Sequence, residues 1–411
     1  MTTSPFDFGP LLAPGLPPPA AKWSAFPTYN FIGGHNDSDL LPARALSAAA
    51  SRVLAREGRT LATYGLESGP LGYRPLRDFL VAKLHRDAGI TCTADEIVLT
   101  SGSLQAIDLI NAALLAPGDT VLIEQANYGG VLTRLARLDV KAIGLPVDGD
   151  GMRMDALSAA LDDCRRQGIR PKYIYTIPTI QNPTATIMSE ARRRELLALA
   201  TAHGTPVFED DCYADLIWSG VRPPAIHALC TDGRVIHIGS FSKSIAPALR
   251  VGFIVARWDM LARLVALKTD AGSGALEQMV LAEFCTEHFA THVPRLNKAL
   301  HAKLETLMEA LAEHFGTAAE FEKPPGGIFL WVKLPDSVDI ARLAQVALAE
   351  GVAINPGPEW ATDHAGSRMR LCYANPSHET IRNGIAKLAE ICSREFGVPV
   401  RSANVEKRRT E

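Results

Sequence analysis

The sequence predicts an α/β fold: a mostly parallel sheet covered by helices on both faces, followed by a smaller α+β region. Two patterns carry this expectation. From about residue 45 to 295, short apolar runs alternate with longer helix-like segments, as parallel crossover units require. After about 296 the rhythm changes to one long helix-like stretch and then mixed short strands and helices. The chain thus divides into an N-terminal arm with a segment of the small domain (1–44), a large domain (45–295) and a small C-terminal domain (296–411).

Taken in order, residues 1–27 are Pro-rich and read as an extended arm. "EIVLT" (96–100) precedes the helix-like "LQAIDLINAALL", and "TVLIE" (120–124) precedes "GVLTRLARL". "KYIYTIPT" (172–179) precedes "SEARRRELLALATAHG", and "PVFEDD" (206–211) and "RVIHIGS" (234–240) complete the buried strands. In the last part, "VPRLNKALHAKLETLMEALAEHF" reads as a long helix-like stretch. It leads into "GGIFLWVKLP", "VDIARLAQVALAEGVAINPG" and "RMRLCYA". The final "EKRRTE" reads as a basic, disordered tail. There is no internal repeat.

Composition excludes several classes of function. The chain has 411 residues, 47% hydrophobic and 21% charged, with a net charge of −3, so nothing in its charge favours nucleic acid or an anionic membrane. Its seven cysteines are scattered without a Cys-x-x-Cys, which argues against a disulfide framework and a zinc site. The start lacks the basic flank and apolar core of a signal peptide, and no apolar run is long enough for a membrane span. A reducing, cytoplasmic setting is the expectation.

Open parallel sheets bind ligands at the carboxyl ends of their strands. After "EIVLT" come Ser101, Gly102, Ser103, Leu104 and Gln105 at a helix start, suited to an anion such as phosphate, or simply an N-cap. After "VLIE" comes Tyr128 beside two glycines, an aromatic face next to an approachable backbone. Asn182 precedes a proline after "YIYTIPT", where a plain turn is the competing reading. "PVFEDDCYADL" ends a strand on carboxylates, with Tyr213 three positions beyond Asp210, and Lys243 follows "VIHIGS". Together these residues suit a phosphorylated aromatic ring with a cationic nitrogen, joined to a lysine as an imine. Pyridoxal phosphate meets that description.

The motifs "YGLESGPLGYRPLR", "TSGSLQAIDL", "PTIQNPTAT", "FEDDCYADL", "SFSKSIAPALRVGF", "PPGGIFLWVKLP" and "RMRLCYA", in this order, resemble the class I/II aminotransferases of fold type I from about residue 30 to 395. Within that family the chain is similar to the kynurenine/aminoadipate aminotransferase-like subgroup. The resemblance implies a seven-stranded large domain, pyridoxal 5'-phosphate and a homodimer with shared active sites. It implies that Lys243 carries the cofactor and moves the proton, and that Asp210 pairs with the ring nitrogen. Asn182 and Tyr213 would bond the ring oxygen, and Tyr128 would stack on the ring. Ser103, Leu104 and Gln105 would hold the phosphate with Ser240 and Arg250, and Tyr64 would reach it from the neighbouring subunit. Arg370 would grip the substrate carboxylate, assisted by Asn182 and the backbone at Gly34.

Three features depart from the family pattern. His35-Asn36 replaces an apolar residue and proline, and His35 is expected either to read a polar substrate group or to make a structural hydrogen bond. Ala185 stands in place of glycine, acceptable if the local φ is negative. Residues 268–278 hold no arginine of the kind that marks dicarboxylate-specific members. The expected activity is amino transfer between an α-amino acid and a 2-oxo acid. The same residues would also serve a decarboxylase or a lyase. A cofactor-binding sensor domain is the third alternative, disfavoured because only about 30 Pro-rich residues precede the aminotransferase-like part.

Overall fold

The computed structural model describes residues 6–401, except 14, 15, 18, 21, 24 and 364. The "EKRRTE" tail and the first residues of the arm lie outside the described residues. The strands in chain order are β1 (Tyr29–Asn30), β2 (Ile97–Thr100), β3 (Thr120–Glu124), β4 (Lys141–Leu145), β5 (Val147–Asp148), β6 (Gly151–Met152) and β7 (Ile174–Thr176). Then follow β8 (Val207–Asp210), β9 (Val235–Ser240), β10 (Gly252–Val255), β11 (Phe329–Lys333), β12 (Val352–Ala353), β13 (Asn355–Pro356) and β14 (Arg368–Cys372).

Seven strands form the main sheet in the order β2-β10-β9-β8-β7-β3-β4, parallel except for β10, which runs antiparallel to both neighbours. The strands β2, β3, β7, β8, β9 and β10 are buried at every residue. Side chains alternate between faces along a strand, so unbroken burial means that both faces are covered. One face packs with Ser103–Leu114 and Trp258–Leu267, and the other with Met154–Arg166 and Glu190–Ala202.

A second, three-stranded antiparallel sheet, β11-β14-β13, packs with the helices Ile340–Ala349 and His378–Phe396. The short β1 pairs in parallel with β12, and Phe31, fully buried, joins this second core. The segment just before residue 44 is therefore anchored to the C-terminal region, which places Gly33 and Gly34 between the two sheets.

The long helix differs from expectation. It runs unbroken from Ala275 to His314, with Pro294 inside, through the position where the sequence reading starts both a helix and a domain. Its first half contributes Met279, Phe284 and Phe289 to the core around Ala43–Glu57 and Arg74–Ala88. Its second half contributes Leu296, Leu300 and Leu307 to the C-terminal core. Apolar packing along both halves outweighs the backbone hydrogen bond that an interior proline removes.

Ala185 also departs from expectation, with φ at +60° instead of a negative value. Its N–H donates to Gln181 O at 2.5 Å, which closes a tight turn around the Asn182 backbone. A left-handed non-glycine residue costs about 1–2 kcal/mol. The methyl group buried in the C-terminal core offsets part of that strain.

Candidate active site

The carboxyl ends of β7, β8 and β9 deliver Asn182, Asp210 and Lys243 to one cavity of about 300 Å³. Gly33, Gly34, Ser103, Leu104, Tyr128, Tyr213, Ser240, Arg250 and Arg370 also line it. Two residues of the expected set do not. Gln105 turns its side chain away: its Oε1 accepts from Ser101 N at 2.7 Å and its Nε2 donates to Asp270 at 2.6 Å, so it braces the helix start. Tyr64 is 87% exposed and lies on a different cavity, with Gly65, Lys268 and Ser273.

The helix at Ser103 begins after Gly102, whose φ of +78° is left-handed. A Cβ at Gly102 would lie 2.2 Å from Arg250 Nη2, so only glycine leaves the guanidinium where it is. Arg250 donates to Ser101 O at 3.2 Å and to Pro247 O at 3.1 Å and makes no ion pair among the described residues. Ser240 and Ser242 are hydrogen-bonded to each other at 3.0 Å beside it. Free N–H groups, hydroxyls and an uncompensated guanidinium make an anion cup.

Asp210 is buried and accepts from Tyr175 Oη at 2.6 Å and from Cys212 N at 3.2 Å. Burial pushes its carboxyl above the usual range, while the Tyr175 and Cys212 hydrogen bonds act the other way. Asp211 faces elsewhere, paired with Arg222 at 2.5 Å, and Glu209 bonds His237 at 3.0 Å and the amides of Ile226 and His227. Of the three adjacent acids, Asp210 alone lines the cavity.

Lys243 Nζ donates to Gly34 O at 3.2 Å and sits 5.9 Å above the Tyr213 ring. Burial, the largest influence, pushes its ammonium down, with the charges of Arg370 and Arg250 adding to the effect and the thiols of Cys372 and Cys212 opposing it. Asn36 Nδ2 donates to the carbonyls of Lys243 and Ile245 at 3.3 and 3.1 Å, tying the lysine loop to the N-terminal segment. His35 makes an edge contact with Phe26 at 5.2 Å, and burial, then the Lys243 charge, lowers its pKa.

Arg370 is 3% exposed on β14. Its Nη1 donates to Asn182 Oδ1 and its Nη2 to Gly33 O, both at 3.1 Å, whereas Nε has no partner. No carboxylate pairs with it among the described residues. The Gly33 carbonyl, not that of Gly34, is the backbone group it uses. Asn182 also donates to Tyr213 Oη at 3.3 Å, linking the guanidinium to the phenol.

Sequence reasoning passes over Tyr175, Cys212 and Trp360. Tyr175 reads in the sequence only as part of a buried strand, and strand alternation does not reveal its bond to Asp210. Trp360 lies in a short 3-10 turn with no motif of its own, yet lines the cavity. A larger cavity of about 530 Å³ carries four carboxylates (Asp148, Glu320, Glu322 and Asp363) against Arg368, a poor host for phosphate or carboxylate ligands.

Residues 32–388 match the family described as aminotransferase class I and II. The aromatic-amino-acid aminotransferase 1 of Thermococcus litoralis is 31% identical, over 89% of this chain and 88% of the relative. An uncharacterised HTH-type transcriptional regulator of Bacillus subtilis is 34% identical, over 83% of this chain and 70% of the relative. The crystal structure of an α-aminoadipate aminotransferase from Thermus thermophilus, complexed with N-(5'-phosphopyridoxyl)-L-leucine, superposes with a TM-score of 0.81. It is 31% identical and covers 89% of this chain and 92% of its own. The chain belongs to the class I and II aminotransferase family, and pyridoxal 5'-phosphate is its cofactor. The cavity fits that group: a cup with uncompensated positive charge, an aromatic wall at Tyr128, a buried carboxylate and a depressed lysine.

Proposed function

We propose that the protein is an aminotransferase that moves an amino group from an α-amino acid to the cofactor and then to a 2-oxo acid, in ping-pong fashion. The observation that carries this reading is Arg370: a buried guanidinium with an orphaned Nε and no acidic partner, facing the cavity that holds Lys243. A buried cation without a counter-charge is costly, and an α-carboxylate would supply both the charge and two parallel hydrogen bonds.

Ser103, Leu104, Ser240 and Arg250 would hold the phosphate, Tyr128 would back the ring, Asn182 and Tyr213 would bond its oxygen, and Asp210 would pair with its nitrogen. Pyridoxal phosphate, when bound, supplies the carbonyl that takes the amino group and the ring that accepts electrons. Asp210, oriented by Tyr175, would favour a proton on the ring nitrogen by its charge. Arg370 and Asn182 fix the substrate carboxylate and so choose which bond at Cα stands ready to break. Lys243 Nζ, whose ammonium form burial disfavours, would be the group that takes the proton from Cα. In a homodimer, the exposed Tyr64 would complete the cup of the neighbouring subunit.

A second reading has an observation behind it: several relatives are named as transcriptional regulators, so binding without turnover is the competing outcome. A panel of amino donors decides. Transamination converts the cofactor's absorption to that of its amino form and releases a 2-oxo acid, and a second oxo acid reverses the change. Carbon dioxide release would mark a decarboxylase, and a spectral shift with no oxo acid would mark a sensor.

A further inference from the structure

Glu124, the last residue of β3, is fully buried and outside the cavity lining, yet it is the most connected carboxylate behind the site. Its Oε1 accepts from Thr176 Oγ1 at 2.5 Å, and both its oxygens accept from Ile177 N at 3.2 Å. Its Oε2 accepts from Asn127 Nδ2 at 2.9 Å and from Gln181 Nε2 at 3.4 Å. Asn127 Oδ1 in turn accepts from Tyr128 N at 2.7 Å, and Gln181 Nε2 also donates to Ala126 O at 2.6 Å. Gln181 immediately precedes Asn182. One carboxylate therefore joins the loop that presents Tyr128 to the loop that presents Asn182.

We infer that Glu124 is a positioning residue that sets the spacing of these two loops, and through them the aromatic wall and the Asn182–Arg370 carboxylate clamp. This rests on the aminotransferase reading for the clamp, though not for the wall. Glu124 accepts each of these hydrogen bonds, so its ionised form satisfies all four donors, whereas a carboxyl O–H would find an acceptor only in the Thr176 hydroxyl, which would then have to turn its own proton elsewhere. Thr176, Asn127 and Gln181 are themselves buried.

The charge on this hub is adjustable. Burial raises the Glu124 carboxyl to about 7, partly countered by the hydrogen bonds from Thr176, Ile177 and Gln181. The titratable groups that face it are Asp210 on β8, whose negative charge adds to the rise, and the buried phenol of Tyr175 on β7. The loops are thus held more firmly as pH rises through about 7. Stability runs the other way: the folded protein binds more protons at this site than the unfolded chain between 4.5 and about 7, so its contribution to folding is lost as pH rises across that window.

The test uses Glu124→Gln, which keeps the volume but turns an NH2 toward donors, and Thr176→Val, which removes one donor and leaves the carboxylate. Pyridoxal phosphate affinity, measured by titration of its absorption at pH 8, reads the Tyr128 wall without any turnover. The half-saturating amino-donor concentration reads the clamp. In Glu124→Gln both should weaken on the order of tenfold, as expected for losing hydrogen bonds to a charged group. The wild-type improvement in donor half-saturation through about pH 7 should also flatten. Thr176→Val should fall between wild type and Glu124→Gln. A Glu124→Gln protein with unchanged cofactor affinity, half-saturation and pH profile, even if it melts earlier, would show that Glu124 only supports the fold. A wild-type protein that binds cofactor but responds to no amino donor would sink the aminotransferase reading instead, and the cofactor-affinity comparison would still decide the role of Glu124.

Discussion

The indole of Trp360 lies under the guanidinium of Arg370, with the Arg370 Cζ 3.6 Å from the ring centroid. Phe329 flanks the same guanidinium at 5.3 Å, so the cation is held between aromatic faces while its Nη atoms reach Asn182 and Gly33. A desolvated cation on an aromatic face gains about 2 kcal/mol. That contact offsets part of the cost of keeping Arg370 buried without an anion.

Arg370→Lys should therefore raise the Michaelis constant for amino acids and lower turnover, with cofactor binding intact, because an ammonium offers neither the fork nor the flat face. Trp360→Leu should raise the same constant by roughly tenfold through misorientation of the guanidinium. Amines without a carboxylate should respond little to either change. Steady-state kinetics on matched acid and amine donors check this, and equal losses for both donors would dissociate Arg370 from the carboxylate. Arg368→Lys should be near neutral, since Arg368 opens onto the acidic cavity.

Asp210 and Asp211 are adjacent, and both are buried, but they should fail differently. Asp210→Asn removes the charge facing the ring nitrogen while keeping the Tyr175 contact, so turnover should drop on the order of a hundredfold with little change in melting. Asp211→Asn takes from the largely buried Arg222 the carboxylate it is paired with. It should cost about 3 kcal/mol of stability while the surviving folded enzyme turns over nearly normally. Denaturant titration beside kinetics separates the two. Reversed behaviour would mean that the strand register is misassigned.

Much of this site was legible because its residues follow strands whose apolar runs stand out. Ser103, Tyr128, Asn182, Asp210 and Lys243 stand at or after a strand end, Arg370 stands within β14, and all six line one cavity. What stayed hidden depends on contacts between distant segments. Trp360 meets Arg370 only because β14 and the preceding turn fold back together. Glu124 looks like the polar end of an apolar strand until four donors from β7 and two loops surround it. The change of pattern near residue 296 marks a new domain in sequence, but packing on both sides carries one helix through it. Gln105 fits the phosphate motif in sequence, yet its amide is claimed by Asp270.

Lys243 gives a prediction for the cofactor-free protein. Its ammonium is held below 10.5 by burial, so between the lowered value and 10.5 the folded protein binds fewer protons than the unfolded chain. Stability should therefore rise with pH across that window. Lys243→Met should melt at a higher temperature than wild type at neutral pH and lose that dependence. It should also abolish turnover, and borohydride should no longer fix cofactor to the peptide carrying residue 243. Near-normal transamination by this variant would overturn the assignment of Lys243.

Gly102 offers the sharpest test of the phosphate cup. Its φ of +78° costs a side chain strain, and a Cβ there would meet the Arg250 guanidinium at 2.2 Å from Nη2 and 2.8 Å from Cζ. The guanidinium is the flexible end of an exposed side chain, so Gly102→Ala should fold, with Arg250 pushed off Ser101 O and away from the helix start. The phosphate would then lose a charge-assisted pair of hydrogen bonds, and pyridoxal phosphate affinity should weaken on the order of tenfold. Pyridoxal, which lacks the phosphate, should bind both proteins alike. Arg250→Leu should reproduce the pattern without touching the backbone. If Gly102→Ala weakened pyridoxal and pyridoxal phosphate equally, the damage would lie in the strand–helix turn itself, and the anion cup would have to be placed elsewhere in the cavity.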